Sequence, residues 1–411
     1  MHHKISLIVQ PGDSFFPIVN AIDRAERSIN LTVFRMDDPI IQEALLEARK
    51  RGVRIRLLIS SSARGWEEKN RKLLKQAKKV GIATKEPAGD SKSTRYHYKA
   101  MTVDDQEALV FTFNPTRENL HYTRDFGIEV YNPKVAAEVN RLFDADWDDI
   151  PFEPDKESPL LVSPFNSRQK MEMLLGSARE SIQIADAKVE DPEIIRLLVN
   201  TANSGVSVRV LGDEKHTARL PSEIEFRAVP RYKLHAKCTI VDGVTAVIGS
   251  MNLRTESLDR RRELCISVDD VDILKRLSAV FESDWERKPP TSGSDATLIL
   301  ATIPLPTPES AELPSAGLVL ISRTDALVRH ALREGVTTIG RAPENDVVIG
   351  DAMASRHHAR ITLEKGKCTL TDLGSANGTF VNGERLDGSK RLVPGDVVGI
   401  AGGDDFRLLE L

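Results

Sequence analysis

The chain has 411 residues, 40% of them apolar and 29% charged, with a formal net charge of −4. That length exceeds one ordinary core and predicts two or three domains, while the acidic balance excludes a protein that is basic overall, as many nucleic-acid binders are. No run approaches the ~20 apolar residues of a membrane span, and Cys238, Cys265 and Cys368 are too scattered for a disulfide framework or a zinc site. The expectation is a cytoplasmic protein with packed, reduced thiols, whose membrane contact, if any, is peripheral.

At the start, "MHHKISLIVQPGD" carries an apolar run too short for a secretory signal, broken by Pro11 and Gly12. Next comes a repeat. "SINLTVFRMDDPIIQEALLEARKRGVRIRLLIS" (28–60) aligns without gaps with "SIQIADAKVEDPEIIRLLVNTANSGVSVRVLGD" (181–213). Each copy reads as strand, helix, strand: Asp38 and Asp191 suit N-caps, Pro39 and Pro192 the first helical turn, and Gly52 and Gly205 the stop. Downstream, His97 matches His235, Asn114 matches Asn252, and Trp147 matches Trp285. The offset drops from 153 (28 to 181) to 138 (97 to 235), so the first copy holds 15 extra residues within 61–95. That segment reads as a basic helix and a loop delivered to His97, either a solvated face or a rim for an anionic substrate.

Beyond Trp285, residues 288–317 are rich in Pro, Ser, Thr and Ala, the composition of a linker. From Leu318 onward, short alternating segments punctuated by Gly, Asn and Asp predict an all-β sandwich. The domains expected are two pseudo-symmetric α/β halves, 1–150 and 151–288, a linker at 289–317, and a β-sandwich at 318–411.

The stretch "LHAKCTIVDGVTAVIGSMN" (234–252) is more polar than a buried strand should be. Strand alternation puts His235 and Lys237 on one face, as it does His97 and Lys99. After each lysine come four residues and then Asp104 or Asp242, read as loop-holding. Thr112 or Ser250 and Asn114 or Asn252 follow, and eleven residues past each Asn comes Asp125 or Glu263. Phosphodiester cleavage needs a nucleophile, a proton donor for the leaving oxygen, and cations or donors around the non-bridging oxygens. One histidine would attack and the other protonate the leaving group. Lys99, Lys237, Asn114 and Asn252 would hold phosphoryl oxygens, and Asp125 and Glu263 would fix the histidine tautomers.

His-x-Lys-x4-Asp followed by Gly-Ser-x-Asn, present twice in phase, resembles the phospholipase D superfamily over roughly residues 1–288. The resemblance implies two α/β/α sandwich halves sharing one site, a phosphohistidine intermediate, and no metal or other cofactor. It also implies His97 as nucleophile and His235 as acid/base. The first copy departs from the pattern in "VFTFN": Thr112 keeps the hydroxyl of Ser250, but Phe111 puts bulk where Gly249 allows close backbone approach.

Gly340-Arg341, Asn345-Asp346, Ser355 with His358, and Asn377-Gly378 resemble the forkhead-associated (FHA) domain, a phosphothreonine-reading β-sandwich, over roughly 318–411. That resemblance implies Arg341 and Ser355 on the phosphate, Arg356 assisting, Asn377 on the ligand backbone and His358 as a scaffold residue. Ala376 stands where the family often has a threonine. Thr302 and Thr307 in the linker are candidates for phosphorylation and capture in cis.

The leading expectation is a phospholipase D-like phosphodiesterase of lipid metabolism that hydrolyses or transfers phosphatidyl groups and is regulated or localised by phosphothreonine-bearing protein partners. One rival is an endonuclease acting on DNA or RNA, favoured by the basic 64–99 segment and disfavoured by scarce aromatics, 5% of residues. Another is a catalytically inert adaptor.

Overall fold

The computed structural model describes residues 4–286 apart from 14, 61–62, 64, 88–95, 214–219 and 230–232, and residues 318–410 apart from 323–328, 333, 343, 350–352, 383, 394–395 and 401–403. The linker threonines and the loop before Tyr96 therefore lie outside the described residues. The chain divides into two compact units, residues 1–291 and 292–411.

The first unit is a duplication. Its first half runs β1 (Ile5–Gln10), α1 (Phe16–Arg24), β2 (Ser28–Val33), α2 (Pro39–Lys50), β3 (Arg54–Ile59), α3 (Glu67–Lys79), β4 (Ala83–Lys85), β5 (Ala100–Val103), β6 (Glu107–Phe111), α4 (Arg117–His121), β7 (Thr123–Tyr131) and α5 (Pro133–Asp148). The second runs β8 (Leu160–Val162), α6 (Ser167–Gly176), β9 (Ser181–Asp186), α7 (Pro192–Asn203), β10 (Ser207–Gly212), β11 (Glu225–Ala228), β12 (Lys233–Leu234), β13 (Lys237–Val241), β14 (Thr245–Gly249), α8 (Thr255–Asp259), β15 (Leu264–Val268) and α9 (Val271–Glu286). The sheet orders match strand for strand: β1-β7-β6-β5-β2-β3-β4 and β8-β15-β14-β13-β9-β10-β11.

Local sequence explains the shared frame. Asp38 accepts hydrogen bonds from the Ile40 and Ile41 N–H groups at 3.0 and 3.1 Å, and Asp191 accepts from Glu193 and Ile194 at 3.1 and 3.0 Å. Both caps satisfy helix-end donors that would otherwise be orphaned. Gly52 and Gly205 have φ of +96° and +94°, values that a side chain would strain, and they turn the chain into β3 and β10. Every residue of β2 is buried, as expected for a strand covered on both faces. Asp104 accepts from the backbone of Glu26, Arg27 and Ser28, and Asp242 from Arg179, Glu180 and Ser181, each at 2.7 to 2.9 Å. These two aspartates thus tie the β5–β6 and β13–β14 turns to the starts of β2 and β9.

One apolar cluster draws on both sheets. Val110 and Ile128 from the first half join Ile240, Ile248 and Ile266 from the second, together with Leu142 of α5 and Leu277 of α9. At the helix ends Trp147 stacks on Phe143 and Trp285 on Phe281, with ring centroids 5.6 and 5.7 Å apart. Arg56 and Arg209 lie over the two pairs.

The second unit is a two-sheet β-sandwich. One sheet holds β16 (Leu318–Ser322), β17 (Arg329–Leu332), β22 (Thr379–Val381), β23 (Glu384–Arg385), β25 (Val397–Ile400) and β26 (Asp404–Glu410). The other holds β18 (Gly335–Gly340), β19 (Val347–Val348), β20 (Ala359–Glu364), β21 (Lys367–Asp372) and β24 (Ser389–Leu392). Ile339, Ile361, Leu370, Val398, Ile400 and Leu408 fill the space between them.

Candidate active site

The site lies where the halves exchange backbone. β12 leaves its own sheet and runs parallel to β7, pairing Leu234 with Arg124, and Tyr96 bridges Arg262 on the opposite side. The His97 N–H donates to the Arg262 carbonyl at 2.9 Å. The His235 and Ala236 N–H groups donate to the Arg124 carbonyl at 3.1 and 2.9 Å. The sequence places each histidine within a strand, but β5 and β13 begin only at Ala100 and Lys237, and the His97, His235 and Ala236 N–H groups are bonded across the halves.

This exchange sets each histidine beside the other half's carboxylate. His97 Nδ1 is 3.0 and 3.1 Å from the Glu263 oxygens, and His235 Nδ1 is 2.9 and 3.2 Å from those of Asp125. An ionised carboxylate only accepts, so each Nδ1 carries the proton and each Nε2 keeps its lone pair. The two imidazoles are 15% and 29% exposed, while both carboxylates are wholly covered.

Burial pushes His97 down to about 3; Glu263 opposes this and Lys99 adds to it. His235 is lowered from its usual value by burial, against the pull of Asp125. Burial would raise Asp125 and Glu263, but the facing histidines, lysines and hydroxyls outweigh it and hold both below the usual carboxylate range. Burial also lowers both lysines from their usual value, against the pull of Glu263 and Asp125.

Each lysine folds against its own histidine. Lys99 Nζ is 3.2 Å from the His97 Nδ1 and donates to the His97 carbonyl at 2.5 Å. Lys237 Nζ is 3.2 Å from His235 Nδ1, donates to the His235 carbonyl, and crosses to the Thr112 carbonyl at 3.2 Å. Thr112 Oγ1 and Thr123 Oγ1 both donate to Asp125 at 2.5 Å. Ser257 donates to Glu263 at 3.3 Å, and Ser250 Oγ accepts from the Leu264 N–H at 3.1 Å. The two amides are held by opposite ends: Asn114 Oδ1 accepts from the Phe34 and Arg35 N–H groups at 3.3 and 3.1 Å, whereas Asn252 Nδ2 donates to Asp186 at 2.5 Å.

The bulk expected from Phe111 is absorbed by its neighbour. Phe111 pairs across the sheet with Gly127, and Gly249 pairs with Cys265. A Cβ on Gly127 would meet Phe111 Cδ1 at 3.1 Å, and one on Gly249 would meet the Leu264 carbonyl at 2.2 Å. Each strand pair has one glycine, on opposite strands in the two halves.

Four features escaped the sequence reading. Arg124 holds Asp284 with two bonds, 2.6 and 3.1 Å, and Arg262 holds Asp146 at 3.1 Å. Both pairs join the halves, one residue before each carboxylate and each tryptophan, a regularity the repeat alignment contains. The third is Asp186, which the alignment sets opposite Val33. The fourth is the wall beside His97: Phe34 meets its ring edge-on at 5.1 Å, Arg35 lies over Phe34 and Trp66, and Lys69 of α3 lies 4.4 Å over Trp66. The basic helix thus reaches this wall through its first turn.

In the β-sandwich unit, His358 is fully buried. Its Nδ1 accepts from the Ser355 N–H at 3.0 Å and its Nε2–H donates to the Gly378 carbonyl at 3.1 Å. Ser355 Oγ accepts from the Ala376 N–H at 3.0 Å, and Asn377 Nδ2 donates to the Met353 carbonyl at 2.8 Å. These bonds gather two loops under Arg341, Arg356 and Asn377, all exposed. The backbone N–H of residue 376 makes this junction, so alanine there leaves it intact.

A duplicated α/β unit with paired histidines and a phosphate-reader-like sandwich define the class of molecule, and comparison with known proteins names the families. The family described as cardiolipin synthase, PLD-like domain matches residues 18–147 and 171–285, and the FHA domain family matches 337–401. The chain belongs to the phospholipase D superfamily and carries an FHA domain. It is 32% identical over 143 residues to the glycogen accumulation regulator GarA of Mycobacterium tuberculosis, which spans 34% of this chain and 82% of that protein. It is also 32% identical over 139 residues to the oxoglutarate dehydrogenase inhibitor of Corynebacterium diphtheriae, covering 34% and 90%. The polyphosphate kinase of Porphyromonas gingivalis superposes with a TM-score of 0.58 at 21% identity, over 69% of this chain and 51% of its own, a likeness of fold. This chain therefore spans about half the length of that kinase.

Proposed function

We propose that the first unit is a phosphodiesterase that hydrolyses or transfers phosphatidyl groups through a phosphohistidine. The observation that carries the reading is the crosswise arrangement of His97 with Glu263 and His235 with Asp125. The His97 Nε2 lone pair attacks phosphorus as the bond to the leaving oxygen breaks, and His235 gives that oxygen the Nε2 proton. His235 then takes a proton from water or an alcohol, whose oxygen attacks phosphorus and releases His97. The anionic substrate restores the proton that burial strips from His235, because a nearby negative charge favours imidazolium. Lys99 and Lys237 supply the positive field.

The name of the matching family, cardiolipin synthase, supports a phosphatidyl substrate over a nucleic acid. Exposed Lys72, Lys75, Lys78 and Lys79 on α3 give the nucleic-acid reading its one support. The FHA unit is proposed to bind a phosphothreonine-bearing protein, with Arg341, Ser355 and Arg356 on the phosphate and Asn377 on the peptide backbone.

The test incubates purified protein with labelled phosphatidylglycerol vesicles, single-stranded DNA, RNA and an aryl phosphodiester. Lipid turnover with a trapped phosphorus adduct that disappears in His97→Ala is the expected result. Cleavage of nucleic acid alone would replace the substrate assignment, and inertness towards all four would leave an adaptor.

A further inference from the structure

Among the buried charges by which the halves differ, Asp186 lies beside the site. Asp186 is 1% exposed and pairs in register with Lys237 on the adjacent strand. It accepts from Asn252 Nδ2 at 2.5 Å, the Leu253 N–H at 2.7 Å and the Lys188 N–H at 2.9 Å. In the first half the position across from Lys99, one step beyond the Thr32–Ala100 pair, is Val33, itself buried. There Asn114 Oδ1 takes the backbone N–H of Arg35, the role that Asp186 fills for Lys188. The residue matching Leu253 in the first half is Pro115, which has no N–H, so Asp186 meets a backbone need particular to the second half; its register opposite Lys237 adds a carboxylate there that the first half lacks.

The consequence is electrostatic. Both lysines sense Asp125 and Glu263, and each histidine senses both lysines, but only Lys237 has a second carboxylate of its own half across the strand. Arg261 bears on Lys99 and Lys188 on Lys237, one cation on each side, so these do not remove the inequality. The Lys237–His235 side therefore holds one more buried carboxylate than the Lys99–His97 side; burial raises Asp186 from its usual value, while the Leu253 and Lys188 N–H groups, Asn252 and Lys237 favour its charged form. Extra negative charge near an imidazole favours its protonated form.

We propose that Asp186 is a positioning residue that makes the two histidines unequal, committing His235 to proton donation and leaving His97 to attack phosphorus. This deepens the phosphodiesterase reading and rests on it. Asp186 touches neither substrate nor reacting atoms; it acts through Lys237 and Asn252.

The experiment compares phosphatidyl-4-nitrophenol, whose leaving group departs without a proton, with phosphatidylglycerol, whose leaving alkoxide needs one. In Asp186→Asn, turnover of phosphatidylglycerol should fall about 100-fold while that of the nitrophenyl ester stays within about threefold, the split expected when a general acid is weakened. The alkaline limb of the phosphatidylglycerol pH profile should move down by about one unit, and Asp186→Glu should recover part of the lost rate. Equal loss on both substrates with an unmoved profile would reduce Asp186 to a loop brace and overturn the proposal. Should Asp186→Asn fail to fold, wild-type enzyme still decides: the trapped adduct must sit on His97, and an adduct on His235 overturns the proposal. If wild type turns over neither lipid, the phosphatidyl reading fails first and takes this inference with it.

Discussion

The two halves of the first unit agree wherever the backbone must do the same work and differ where they face the shared site. Asp38 and Asp191 cap, Asp104 and Asp242 tie turns, and Arg56 and Arg209 cover the same aromatic pair, each in nearly the same geometry. Around the histidines, Val33 stands against Asp186, Phe111 against Gly249, and Asp125 against Glu263. Folding constrains each half separately, so its requirements are met twice. Chemistry constrains only the pair, so the set need be complete only once.

The largest expected effect tests whether the pair is crosswise. Glu263→Gln and Asp125→Asn each remove a tautomer-fixing charge and should cost about 10³- to 10⁴-fold in turnover, by analogy with a triad carboxylate. The two losses should differ in kind. Glu263→Gln should slow formation of the phosphorus adduct, since it serves His97, and Asp125→Asn should slow leaving-group protonation and adduct hydrolysis. Rapid-quench measurement of adduct build-up separates these; the reverse assignment would mean that each carboxylate serves its own half.

The next effect concerns what holds the halves together. Arg124→Met removes the two charge-assisted bonds to the covered Asp284 and should lower stability by about 3 kcal/mol in denaturant unfolding. Arg262→Met should cost less at pH 5, because burial has already raised Asp146 to about 6 and the carboxyl can take a proton. An unfolded aspartate ionises near 4, so between pH 4 and 6 the folded chain holds the extra proton and stability falls as pH rises. Asp146 should account for about 3 kcal/mol of that fall, complete above its folded pKa, and Asp146→Asn should flatten it.

Most of the frame was legible because its signals are local. A cap, a helix-stopping glycine and a β-branched strand declare themselves within a few residues, and the repeat doubled every one of them. The motif residues were equally visible. What spacing within one copy cannot convey is pairing between copies: nothing near His97 announces that its carboxylate lies 166 positions away. Asp186 was hidden differently. It closes an apolar strand in a repeat that otherwise matches, and only its register opposite Lys237 turns a small mismatch with Val33 into a charge beside the site.

The smallest effect concerns the exchanged glycines. A methyl on Gly249 would sit 2.2 Å from the Leu264 carbonyl and 2.5 Å from the Cys265 Cα, backbone atoms fixed by strand pairing, so the strands must part. A methyl on Gly127 meets side-chain carbons of Phe111 and Ile8 at 3.1 and 3.3 Å, and side chains can turn away. Gly249→Ala should therefore cost about 1–3 kcal/mol, the usual range for overpacking, and Gly127→Ala less than that. The activities should separate further, because Ser250, next in sequence to Gly249, braces the Glu263 strand through the Leu264 N–H. Equal costs at the two sites would mean that Phe111 is as immovable as backbone, and that the first half is packed as tightly around its bulky residue as the second is around its glycine.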